Sequence, residues 1–77
     1  MKLAEGRQAI HDIVFAVGIY KGSDKNDTDK SNYVYSVNEA LKILRANKFK
    51  TALKNEYLTE RINDPDFDFV SQILQKI

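Results

Sequence analysis

The sequence has no cysteine, a single histidine, a single methionine and no long apolar run. Without cysteine there is no disulfide scaffold and no thiolate-ligated metal site, which leads us to expect a reducing, cytoplasmic setting. No stretch approaches the roughly 20 apolar residues needed to span a bilayer. Met1–Glu5 does not open a signal peptide, so no membrane association is expected. An excess of one charge is also missing. Twelve Lys and Arg against 11 Asp and Glu leave +1, too little to imply nucleic acid or anionic lipid. The groups of common active sites are absent too. His11 has only Asp12 as a neighbouring carboxylate, and on a helix adjacent side chains point apart. No G-x-S-x-G, H-E-x-x-H or phosphate-cradling glycine loop is present. Neither an enzyme nor a resident cofactor is expected.

What is there makes one small domain. Hydrophobic residues are 43% and charged residues 30% of 77 positions, a globular balance. A chain of this length buries only about 60% of its unfolded surface, so the core is thin and a partner would add stability.

Apolar residues recur at helical spacing. Leu3, Ile10, Ile13, Val14, Val17 and Tyr20 predict a first helix from about Leu3 to Tyr20, ended near Gly18 and Gly22-Ser23. The polar stretch Lys21–Asn32 reads as a loop that runs into Tyr33-Val34-Tyr35, three residues favouring extended backbone. Ser36 and Glu39 are spaced as a capping box, which starts the second helix at Val37, with Val37, Ala40, Leu41 and Leu44 inward. A third helix, Lys50 to Ile62, carries Leu53, Tyr57 and Leu58 and stops at Asn63-Asp64-Pro65. A fourth begins near Phe69 and runs to the end. The class is all-α, with four helices and room for a short two-stranded bridge between the loops.

Asp27-Thr28-Asp29-Lys30-Ser31-Asn32-Tyr33-Val34 sets oxygen-bearing residues at alternate positions, as a coiled calcium loop does. Asp27, Asp29 and Ser31 would hold positions 1, 3 and 5, and the Tyr33 carbonyl position 7. On its own the pattern is better read as a solvated acidic loop. Farther on, Tyr33–Leu41, Glu56–Asn63 and Phe67–Leu74 resemble the exit helix of one EF-hand and the two halves of another. The chain thus resembles a single calmodulin-like lobe of the EF-hand superfamily, hand one at about 3–47 and hand two at about 50–77. That resemblance implies a short antiparallel bridge between Val34 and Phe67. The spacing departs from the family: Tyr20 to Val34 is too long for its first loop, and Ile62 to Phe67 too short for its second. Position 12 is Asn38 in one loop and Ser71 in the other, where the family has glutamate. Asp27, Asp29, Ser31 and Tyr33 are therefore expected to be vestigial, with no metal held at physiological calcium.

EF-hand relatives with degenerate loops include myosin light chains, and the chain is similar in size to the small light chains of class I myosins. The resemblance implies a non-catalytic, calcium-independent grip on an amphipathic IQ-type helix of a myosin heavy-chain neck. Groove candidates are Ile13, Val17, Leu41, Leu44, Phe69, Ile73 and Leu74, although most of them, and any one taken singly, are better read as plain core. Glu56, Glu60, Asp64, Asp66 and Asp68 could face a basic target helix. One alternative is a small helical DNA-binding regulator using Lys42, Arg45, Lys48, Lys50 and Lys54. The lack of interleaved aromatics and the acidic C-terminal third argue against nucleic acid. A calcium-sensing EF-hand protein is the other alternative.

Overall fold

The computed structural model describes residues 3–77, which form four helices with no strand among them: α1 (Leu3–Lys21), α2 (Asp27–Arg45), α3 (Lys50–Glu60) and α4 (Phe67–Leu74). The all-α class expected from the periodicity is present. α1 follows its pattern closely, burying Gly6, Ala9, Ile10, Ile13, Ala16 and Val17 along one stripe. It ends where glycine and serine take over. The Gly22 amide donates to the Gly18 carbonyl (3.3 Å), and the Ser23 amide and hydroxyl both donate to the Tyr20 carbonyl, at 3.1 and 2.7 Å. Lys25 then turns the chain with φ 56°, the left-handed region.

α2 corrects the expected boundary. It begins at Asp27, not at Val37, so most of the stretch expected to be a loop is helix. Asn26 is its cap: the side-chain oxygen accepts from the Asp29 amide at 2.8 Å, and Asp27 and Asp29 place negative charge at the positive helix end. Ser36 and Glu39, read as a capping box, sit in mid-helix. Tyr33-Val34-Tyr35 are helical despite their extended preference, because packing overrides propensity. The Tyr33 ring stacks on Tyr20 with centroids 4.6 Å apart, continuing the stripe of Val37, Ala40, Leu41 and Leu44. No bridge joins Val34 to Phe67. Val34 is 53% exposed on α2, while Phe67 opens α4 and stacks on Tyr57 at 5.9 Å.

α1 packs mainly on α2. α3 and α4 close one side of that pair, contributing Leu53, Tyr57, Val70, Ile73 and Leu74 to a core centred on Ile13, Leu41 and Leu44. Side-chain turns set both later junctions. Between α2 and α3, buried Asn47 accepts the Phe49 amide at 2.8 Å. Before α4, Asp64 accepts the Asp66 amide at 2.9 Å. Lys21 donates to the Asp66 carboxylate at 2.7 Å, tying the end of α1 to the start of α4. α3 stops at Glu60, short of Ile62, and α4 starts at Phe67 rather than Phe69.

Gly6 allows the closest approach. A methyl group at this position would collide with the Leu53 Cδ1 and lie 3.0 Å from the Asn47 side-chain nitrogen, and both residues are 1% exposed. In an open helix, alanine is better than glycine by about 1 kcal/mol. Here Gly6→Ala should instead destabilise by about 1–3 kcal/mol, the cost of overpacking. Urea unfolding tests this, and a stabilised variant would contradict the packing. The start of α2 gives a second test. Asn26→Ala should cost about 1 kcal/mol while Ser36→Ala stays within about 0.5 kcal/mol, and the reverse ranking would restore the later start.

Candidate functional site

Two concave features flank α1 on different sides. The first, about 410 Å³, lies between α1 and α3. Ile10, Val14 and Leu53 supply its apolar surface, and Arg7, His11, Glu56, Glu60 and Arg61 its polar walls. Arg7 bridges it to Glu56 at 3.3 Å, both groups well exposed. Charges of both signs neutralise one another here. His11 lines this cleft, whereas Asp12 lines the opposite feature, so the two do not form a dyad. Tyr57 is the unusual residue of the cleft: it is 6% exposed, and its hydroxyl has no hydrogen-bond partner among the described residues. Burial pushes its phenol above the ordinary 10.0; Asp64 and Asp66 add to the rise and Arg61 opposes it. It stays a neutral phenol at physiological pH and is poorly suited to proton abstraction.

The second feature is an open trough of about 520 Å³ along the outer side of the α1–α2 pair, and no α3 or α4 residue lines it. α1 presents Phe15 and Ile19, while α2 presents Tyr35 and Ile43. These four are 63%, 58%, 68% and 39% exposed. Ala16 and Ala40 keep the valley between the helices shallow-walled, and the stacked Tyr20 and Tyr33 rings close it toward the 22–26 connection. Burial raises the Tyr33 phenol as well, helped by Tyr20.

The residues singled out from sequence fall elsewhere. Asp27, Asp29, Ser31 and Tyr33 lie in the first two turns of α2. Side chains two apart on a helix diverge by about 200°, so they do not converge on an ion. Among the described residues, no group of three or more His, Asp or Glu side chains could hold a metal ion. Ile13, Val17, Leu41, Leu44, Ile73 and Leu74 are 7% exposed or less and form the core, so they are not accessible to a partner in this arrangement. Phe69 is 49% exposed, with the Lys21 ammonium 5.3 Å from its ring centroid. The basic residues Lys42, Arg45, Lys48 and Lys50 are exposed, and several are engaged. Lys42 pairs with Glu39 at 3.1 Å, Arg45 donates to the Lys76 carbonyl at 3.3 Å, and Lys50 to the Arg45 carbonyl at 3.4 Å. No described helix is long and apolar enough to cross a membrane. Sequence reasoning missed Phe15, Ile19, Tyr35 and Ile43. The available signal was that they are apolar yet lie off the buried stripe of their helices.

Compared with protein-family models, curated proteins and solved structures, the chain matches none.

The unpartnered phenol yields a prediction. A buried hydroxyl without a hydrogen bond costs about 1–3 kcal/mol, so Tyr57→Phe should leave stability unchanged or raise it. Below pH about 10 the phenol is protonated in both states. Above that the unfolded chain ionises first, so stability falls with rising pH, and Tyr57→Phe should shallow the fall. Denaturation at pH 8 and 10.5 checks both. A variant destabilised by 2 kcal/mol or more (about the worth of a charge-assisted bond) would mean that the hydroxyl has a partner.

Proposed function

We propose that the chain is a non-catalytic binding protein and that its α1–α2 trough receives an apolar-faced helix of a larger protein. The observation that carries this is the gathering of Phe15, Ile19, Tyr35 and Ile43, all substantially exposed, around one valley with no other helix over it. Isolated exposed apolar residues are ordinary, but a contiguous set around a concavity marks an interaction surface. The valley between two packed helices is the natural seat for a third, because ridges of one helix fit grooves of its neighbours. α1 and α2 have 19 residues each, about 28 Å, so the trough offers length for several turns of a partner. A helix satisfies its own backbone hydrogen bonds, which suits a surface made of side chains rather than a free strand edge.

The narrower reading, a light chain gripping an IQ-type helix of a myosin neck without calcium, agrees in the kind of ligand. It rests on the resemblance alone. The segment matched to the first EF-hand loop is helix here, so the proposal is built on the trough and not on that loop. A DNA-binding role has less support, since Lys42, Arg45 and Lys50 are each drawn to neighbouring acceptors of the chain.

The test uses an 18-residue model peptide with leucine at helical i, i+3, i+4 and i+7 positions. On titration, the methyl resonances of Ile19 and Ile43 should shift, while those of Ile13 and Ile73 change little. Phe15→Ser should abolish the shifts while altering folding stability by less than about 1 kcal/mol, as expected at an exposed position. Shifts confined to Ile10, in the α1–α3 cleft, would refute the placement.

A further inference from the structure

The trough has a charge pattern that narrows its occupant. Three carboxylate residues line it, Asp12 on α1 and Asp29 and Glu39 on α2, and no Lys, Arg or His does. Asp29 lies in the first turn of α2, beside the connection, while Glu39 is about 15 Å farther along the helix. The tyrosine stack pairs α1 with α2 in antiparallel fashion, so Asp12 falls toward the Glu39 end. Negative charge therefore stands at the connection end of the apolar strip formed by Phe15, Ile19, Tyr35 and Ile43, and again beside its other half, where Ile43 lies one turn beyond Glu39.

Cations beside the rim lessen this charge without entering the trough: Lys42 pairs with Glu39 at 3.1 Å, and Lys30 and Lys42 line the adjoining surface that shares Tyr35 and Glu39. The Lys42–Glu39 pair is solvent-exposed, so an incoming cation can exchange with Lys42 at little cost. Asp12 accepts from the neutral Gln8 amide at 2.9 Å. Lys25 sits over the Tyr20 ring at 5.8 Å, outside the lining. Face-to-face pairing of two copies would set these carboxylates against their counterparts, and like charges brought together oppose association. An acidic or neutral helix would leave the rim unmatched.

We infer that the occupant is a cationic amphipathic helix of another protein, its apolar face on Phe15, Ile19 and Ile43 and its Lys or Arg side chains at Asp12, Asp29 and Glu39. This rests on the trough being a docking surface, and the test separates the two claims. Two 18-residue peptides share one leucine stripe, with lysine on the remaining positions of one and glutamate on those of the other. Each is titrated into the full chain by calorimetry and by methyl resonances.

The lysine peptide should bind about tenfold more tightly at 50 mM salt, the scale of three rim charge contacts, and the ratio should shrink at 500 mM. The variant carrying Asp12→Asn, Asp29→Asn and Glu39→Gln should lose most of that ratio while still binding the glutamate peptide. Because Asp29 also helps start α2, Glu39→Gln alone serves as a second variant, with about a twofold loss expected. Equal binding of both peptides with Ile19 and Ile43 shifts intact would overturn the charge inference and leave the trough standing. Binding of neither would overturn both. Sedimentation showing a dimer that Phe15→Ser dissociates would replace the helix with a second copy of this chain.

Discussion

The packing of α1 against α2 is the interaction on which everything else depends. Each has 19 residues, and the apolar stripe of α1 meets that of α2, which runs from Tyr33 to Leu44, with the Tyr20–Tyr33 stack at the end nearer their connection. α3 and α4 have only 11 and 8 residues. Two long helices and two short ones cannot form an evenly closed bundle. The short pair covers one side, where Leu53, Val70 and Leu74 fill the core, and the other side stays open. Gly6 matters because it sets how closely α1 meets the α2–α3 junction, through Leu53 and Asn47.

That asymmetry divides the surface chemically. The cleft beside α3 holds charges of both signs that engage one another, with a neutral buried phenol at its wall. The trough opposite is apolar with a rim of one sign. The first arrangement offers charges of both signs and so favours no partner of one sign. The second sets exposed apolar area beside carboxylates alone, a combination that a cationic amphipathic segment would relieve. Binding there would also supply the third side that the core lacks, and so stabilise a domain with few buried residues.

Much of the fold is legible in the sequence where the periodicity is strong and the ends are marked. α1 follows from Ile10, Ile13 and Val17, and the stop before α4 from Asp64-Pro65. The start of α2 was hidden because Tyr33-Val34-Tyr35 favour strand locally and the preceding residues are polar. Asn26 followed by Asp29 is itself a cap, and Tyr33, Val37, Ala40, Leu41 and Leu44 are one helical stripe. The decisive fact, that Tyr20 waits across the connection for Tyr33, is a tertiary contact that no local window contains. The site was less legible still. Apolar residues with the best helical periodicity are core for that very reason, so selecting them as a groove selected Ile13 and Leu44, which are wholly buried. The trough-lining set lies off that stripe, and only the missing cover over α1 and α2 distinguishes Phe15 and Ile19 from incidental surface residues.

The continuity of α2 is what creates the trough, and backbone chemical shifts of residues 27–45 test it most directly. The account predicts helical Cα shifts and protected amides from Lys30 onward through Leu44, unchanged by millimolar calcium. Coil shifts over 27–36 with helix only from Val37, or a calcium-dependent change in that segment, would contradict it.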